Sequence, residues 1–356
     1  MGGLLTDRGV KHMTETFGKT SAGWETTLYT LENKNGMQIA VSDYGATLVK
    51  VLVPDREGKL VDVVLGYDDA AGYEAGDKFF GAIVGRVANR IGGASFELNG
   101  RTYQLDKNDN GNNLHSGMDF YSKRMWRVEE YGKDHIVLSL HSPDGDQGYP
   151  GEVDITVTYT LTGDNEVKIH YHAVPKEDTL LNMTNHSYLN LAGQSSGTIL
   201  DQEVWIDADA YTEADAQSIP TGEITPVEGT PMDFRESKEI GRDIEEDYQA
   251  LKFGGGYDHN WALNGSGFRK VAGLSCEKSG ISMEVYTDLP GMQLYCGNFL
   301  EGDAGKGGCA YGKRSGVCFE TQYFPDAVHK EDFAGPVVRA GETYDTVTSY
   351  KFTSGR

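Results

Sequence analysis

Three polar clusters in the chain carry residue types able to move protons. In TNHSYLNLAG, His186 stands among Thr184, Asn185, Ser187 and Asn190, between apolar residues. In CFETQYFPDA, Glu320 ends an apolar run of Val317, Cys318 and Phe319. A carboxylate emerging from such a run is partly desolvated, which raises its pKa toward useful base strength. In NLHSG, His115 lies near Gly117 after a strand-like end, YDHNW adds Asp258, and VGRVANRI adds Asn89 and Arg90. Spacing alone leaves each of these equally readable as an ordinary structural polar residue.

Other segments invite weaker readings. KIHYHA places His170 and His172 two apart on a strand. Side chains at i and i+2 share a face, so the pair could start a metal site or simply meet solvent. No motif supplies a third ligand. DADAYTEAD offers Asp207 and Asp209, but Tyr211 and Thr212 stand where a calcium loop needs oxygen ligands and glycine, so it reads as an acidic loop. EGDAGKGG and FGGGYD lack the phosphate-loop pattern and read as flexible loops. Asn182, Asn185 and Asn264 fit the glycosylation acceptor pattern, which has no meaning without a secretory route. Cys276, Cys296, Cys309 and Cys318 lack zinc spacing and read as reduced, buried side chains.

The elements that must position these residues are strands. WETTLYTLE reaches Asn35-Gly36 and continues as MQIAVSDYG, and FELNGRTYQL holds a second Asn-Gly turn. Both are hairpin signals. Alternating runs recur at TLVKVLVP, HIVLSLH, VDITVTYTL, EVKIHYHAV, ISMEVYT, MQLYCGNF, GVCFETQYF and YDTVTSYKF. Helical periodicity is confined to 240–252. With 46 glycines in 356 residues, long helices are disfavoured. The expected class is all-β, a large twisted antiparallel β-sandwich. Residues 1–23 read as a loose lead-in and 24–356 as one β domain, since no composition break divides them.

The net charge is −22, from 32 basic and 54 acidic residues. That argues against nucleic acid and against an anionic membrane surface, and favours a neutral or cationic ligand. No apolar run approaches the length of a membrane helix, and the first twenty residues hold no secretion signal, so a cytoplasmic location is expected. The start MGGLLT fits a myristoylation pattern without the basic patch that would supply a second anchor.

Taken together, YGATLVKVLVPD, GRVANRIGGASFELNG, NNLHSG, GYPGEVDITVTYTL, TNHSYLNLAG, ADAYTEADAQSIPTGEITPVEGTPMDF, YDHNW, GMQLYCGN and ETQYFPDA resemble the aldose 1-epimerase (galactose mutarotase) family, in family order from Trp24 to Phe352. The resemblance implies a twisted β-sandwich with a sugar on one open sheet face, and a reaction without cofactor or metal. It implies that Glu320 is the general base and His186 the general acid. It implies that His115 holds the sugar near the reacting end, that Asn89 and Arg90 form the sugar-binding pair, and that Asp258 and Gln293 bind hydroxyls. Ser116, Leu189 and His329 depart from the commoner Gly, Phe and Asn.

The residue types suit that chemistry. Exchanging anomers requires opening a hemiacetal and closing it on the other face. The C1 hydroxyl loses a proton while the ring oxygen gains one, so one base and one acid suffice, each supplying about 10²–10⁴-fold. Glu320 would take the hydroxyl proton and His186, as imidazolium, would protonate the ring oxygen. Trp261 or Phe324 could cover the apolar sugar face or simply pack the core. The expected partner is a free aldose such as galactose or glucose, bound by a monomer or homodimer. Alternatives are a non-catalytic sugar-binding module, a hexose 6-phosphate epimerase, for which no extra basic cluster is visible, and a metal-dependent enzyme built on His170 and His172.

Overall fold

The structure, a computed structural model, describes residues 13–355. The myristoylation pattern at the N-terminus lies outside the described residues.

Three antiparallel sheets carry the architecture. The first is a five-stranded meander of Met13–Lys19, Glu25–Glu32, Gln38–Ser42, Thr47–Pro54 and Leu60–Asp62. Met13–Lys19, read from sequence as lead-in, is therefore a strand. Its alternating polar pattern has one buried side chain, Phe17, and too little apolar signal to stand out. The second sheet has nine strands, in the order Arg127–Tyr131, His135–Ser142, Val153–Leu161, Glu166–Pro175, Tyr344–Ser354, Ile281–Thr287, Arg269–Cys276, Glu203–Ile206 and Lys238–Glu239. The third orders Pro220–Pro226, Ala210–Ala214, Asp258–Ala262, Gly291–Tyr295 and Cys318–Gln322.

Alternation drives the packing. Val153–Leu161 buries every second residue, and Ile155, Val157 and Tyr159 join Val41, Leu48 and Val51 of the first sheet in one apolar cluster. Buried tyrosines tie the layers with their hydroxyls: Tyr159 donates to the Ala46 carbonyl at 2.6 Å, and Tyr350 donates to the Phe319 carbonyl at 2.9 Å. Such groups must be paired once they leave water. Cys318–Gln322 is buried on both faces, with the second sheet beneath it and loops above.

The Asn-Gly hairpins form where expected, including Ser95–Leu98 with Arg101–Gln104 across Asn99 and Gly100, both at positive φ. Helix is scarce. The periodicity at 240–252 resolves into a 3₁₀ turn, Ile240–Arg242, and a short helix, Gln249–Gly254. A second helix, Ala70–Ala75, is capped by Asp69, whose carboxylate accepts from the Gly72 amide. The loop around Lys306 is held in place: its buried ammonium donates to the Val49 carbonyl at 2.8 Å and to Asp62 at 2.7 Å. All four cysteines are unpaired.

Candidate active site

Strand register assembles half of the site. Gln293 pairs directly with Glu320, and Asn260 pairs with Gln293 one strand further on. Residues opposite one another share a face, as do residues two apart, so Asp258, Asn260, Gln293, Glu320 and Gln322 form one polar row. The row is hydrogen-bonded within itself. Gln293 donates to Asp258 at 2.8 Å, and Gln322 donates to Asn260 at 3.1 Å and to Gln293 at 3.2 Å.

Loops bring the other half. Thr184–Asn185 pairs with Ile83–Val84, and His186 follows. The His186 amide donates to Ala82, and its carbonyl accepts from Gly81. Gly81 has φ +64°, and a Cβ there would lie 2.1 Å from the Leu48 carbonyl oxygen, so only glycine fits this close approach. Asn185 orders the turn by accepting from the Ser187 amide and hydroxyl and donating to Gly81. His115 is coupled to Asn89 in both directions, by its own amide to the Asn89 carbonyl at 2.9 Å and by the Asn89 amide to His115 Nδ1 at 3.0 Å. Arg90 is oriented by Asp109, 2.6 Å from its Nε.

Asn89, Arg90, His115, His186, Asp258, Gln293 and Glu320 line a single cavity of about 210 Å³. Asp77, Lys78, Phe79, Leu114, Tyr188, Tyr295 and Phe299 complete its wall. Sequence reasoning missed these aromatics. Phe79 packs against His115 with ring centroids 4.8 Å apart and stacks on His186 at 5.7 Å. Phe299 is exposed at the rim. Neither stands in a segment with a chemical signal of its own. Trp261 and Phe324, suggested as sugar platforms, are elsewhere: Trp261 is core, packed on Phe234, and Phe324 packs on Phe333. Ser116, Leu189 and His329 also lie outside the cavity wall. Ser116 clamps both the amide and the carbonyl of Val87, and His329 bonds Asp326.

His186 Nε2 is 3.5 Å from Glu320 Oε1, with both side chains buried. Burial disfavours charge on each. It drives the Glu320 pKa well above the usual carboxylate range, a shift reinforced by Asp258 and opposed by Arg90. It lowers His186 to about 4. His115 is held well below the usual range by burial, then by His186 and Arg90. A standing imidazolium at His186 is therefore not what burial favours. The opposing attraction within an ionised pair at this distance is roughly 5 kcal/mol at an effective dielectric near 20, comparable to the several kcal/mol that burial costs an ion. The pair therefore carries one proton, which burial favours on Glu320 and ionic attraction favours on His186.

His115, His186 and Glu320 bring potential ligand atoms within 4.8 Å of one another. The tautomer of His115 opposes a metal there. Its Nδ1 accepts from the Asn89 amide, so its cavity-facing Nε2 carries the hydrogen and has no free lone pair. His170 and His172 instead share Asp345, at 2.9 and 3.2 Å, on the solvent side of the second sheet. Among the described residues they join no three-ligand cluster. Asp207 accepts from Asn264 and Asp209 pairs with Arg235, as in an ordinary acidic loop.

An all-β scaffold with a buried carboxylate facing an imidazole in a polar-walled cavity is the kind of site an enzyme uses to move protons on a small polar molecule. Residues 27–351 match the family Aldose 1-epimerase. The chain is 44% identical to the galactose mutarotase of Bos taurus over 321 residues, covering 89% of this chain and 91% of that protein. It is 40% identical to the aldose 1-epimerase of Haemophilus influenzae over 329 residues, covering 91% and 95%. The crystal structure of a galactose 1-epimerase from Lactobacillus acidophilus superposes with a TM-score of 0.86 at 28% identity, over 98% of this chain and all of that one. The chain belongs to the aldose 1-epimerase family. It is an isomerase, an aldose 1-epimerase that interconverts the α and β anomers of an aldose.

Proposed function

We propose that the substrates are free aldohexoses, galactose and glucose among them, with Glu320 as base and His186 as acid. The observation that carries this reading is the pair itself: a carboxylate and an imidazole 3.5 Å apart, buried, and sharing a wall with five groups suited to hydroxyls. Glu320 takes the C1 hydroxyl proton while His186 delivers one to the ring oxygen. The C1–O5 bond breaks and an open aldehyde remains. Rotation about C1–C2 presents the other carbonyl face, and the same two groups return the protons as the ring closes. Proton count is conserved throughout, so the pair needs neither cofactor nor metal.

The reactive form is the ionised one, and the neutral form is its reservoir. Both hold the same number of protons, so their ratio does not depend on pH. His115, as a fixed Nε2–H donor, suits a sugar oxygen and not proton transfer. Asn89, Arg90, Asp258 and Gln293 would fix the ring through its hydroxyls. Cytoplasmic residence accords with four unpaired cysteines. No helix among the described residues is long and apolar enough to cross a membrane.

Polarimetry of freshly dissolved α-galactose tests the assignment. Glu320→Gln and His186→Asn should each lower kcat by at least about 10³-fold while sugar binding by calorimetry persists. Near-wild-type rates in either variant would remove the assigned roles. Sugar binding by the wild-type protein with no faster anomer exchange would favour a pure binding module.

A further inference from the structure

His186 has a second ring nitrogen, and the fold gives it a partner. Cys318 Sγ lies 3.5 Å from His186 Nδ1, within hydrogen-bond reach for sulfur. Across the ring, Nε2 is 3.5 Å from Glu320 Oε1. Cys318 and Glu320 are two apart on the strand Cys318–Gln322, so their side chains leave the same face. One strand therefore holds both nitrogens of an imidazole that lies 132 positions from Cys318 in the chain. Cys318 is fully buried, and burial, then the nearby Glu320, keep its pKa well above the usual thiol range, so it stays a neutral thiol.

Packing by itself does not set that arrangement. Phe79 and Tyr188 lie against the His186 ring, with centroids 5.7 and 5.1 Å away. Aromatic neighbours contact an imidazole about equally well after it turns over about its Cβ–Cγ bond, a torsion with two comparable wells. Turning over puts carbon where each nitrogen stood. A hydrogen-bond partner on the far nitrogen is what distinguishes the two orientations. His186's own carbonyl also accepts from the ring.

The one-proton pair needs hydrogen on Nδ1 in either of its forms. With the proton on Glu320, Nε2 accepts it as a hydrogen bond, so the neutral ring carries its own hydrogen on Nδ1. With the proton on His186, both nitrogens carry hydrogen. Nδ1–H donates to Cys318 Sγ in both forms, and the proton that moves does so at Nε2. After Nε2 gives its proton to the ring oxygen, the neutral imidazole keeps the same Nδ1–H. A carboxylate at Nδ1 would stabilise the imidazolium and weaken it as an acid. A neutral sulfur is a weak acceptor that orients the ring without that effect. We propose that Cys318 is a positioning residue, holding His186 as the Nδ1–H tautomer with Nε2 turned to Glu320 and the substrate. The inference rests on the proposed roles of Glu320 and His186.

The test pairs polarimetric kinetics on galactose with the ring-nitrogen chemical shifts of His186. On the plateau of the pH profile, wild-type Nδ1 should give the shift of a protonated nitrogen, and a lone-pair shift there overturns the proposal. Cys318→Ala should lower kcat at least about tenfold with KM within about twofold, because the sugar contacts stay while the ring orientation is lost. Its His186 shifts should report a mixture of tautomers. Cys318→Ser, whose hydroxyl also donates and accepts, should recover kcat to within about threefold of wild type. Cys318 shares an apolar cluster with Leu65 and Tyr188. If Cys318→Ala fails to fold, Cys318→Val, which keeps apolar bulk and offers no hydrogen bond, takes its place with the same expected loss. Equal losses in the serine and alanine variants would reduce Cys318 to packing and overturn the proposal. An alanine variant within about twofold of wild-type kcat would leave the orientation to the His186 carbonyl and overturn it too. Glu320→Gln, measured alongside, separates the premises: if that variant is active, the proposed function falls instead.

Discussion

The Asn89 amide donates to His115 Nδ1 at 3.0 Å while His115 returns its own amide to the Asn89 carbonyl at 2.9 Å. Both residues have positive φ. The reciprocal pair leaves His115 one hydrogen, on Nε2, at the cavity wall. His115→Gln, which can still present an N–H at that distance, should keep activity within about tenfold, and His115→Ala should lose at least about a hundredfold. Equal losses in the two variants would show that donation from Nε2 is not the role. The nitrogen chemical shifts of His115 should also titrate well below the range of an unperturbed histidine, because burial disfavours its charged form.

The pH dependence of kcat/KM should be a broad bell whose limbs belong to the Glu320–His186 pair. On the acid side the pair takes up a second proton near pH 4, where burial places His186. On the alkaline side it loses its only proton, in a limb displaced well above the carboxylate range because burial disfavours the Glu320 charge. An acid limb near pH 6.5, the value of an unperturbed histidine, would contradict the shared-proton account.

Metal removal should be without effect. Prolonged dialysis against EDTA is expected to leave kcat and KM unchanged, because the His115 Nε2–H blocks the three-ligand geometry with His186 and Glu320. Activity lost on dialysis and restored by zinc would reverse that conclusion.

Gln293→Leu should raise KM more than it lowers kcat. Gln293 stands directly across from Glu320 and orients Asp258 at 2.8 Å, so its loss loosens sugar binding while leaving the proton-transfer pair in place. A fall in kcat with KM unchanged would assign it to the transition state instead.

Lys306→Met should destabilise the fold by about 3 kcal/mol in urea titration. It leaves the Asp62 carboxylate and the Val49 carbonyl without their buried ammonium partner. A change under about 0.5 kcal/mol would mean water replaces that ammonium.

Much of the scaffold was legible because its signals are local. Alternation and Asn-Gly turns identify strands and hairpins from a few residues each, as in Ser95–Leu98 with Arg101–Gln104. The N-terminal strand Met13–Lys19 escaped notice because an edge strand with one buried side chain carries almost no periodicity. The site residues Glu320, His186, His115, Asn89, Arg90, Asp258 and Gln293 could be named from motif resemblance, and one cavity gathers all seven.

The sequence by itself determined which residues alternate toward a core and which polar types the motifs hold, since both follow from chemistry a few positions wide. Tertiary structure alone decided the rest. Only packing brings His186 to 3.5 Å from a carboxylate 134 positions later, and only shared burial sets their pKa values against each other. Packing also turned Trp261 into core and set Phe79 against His115 and His186, because exposure is a property of the assembled sheets and not of a side chain's type.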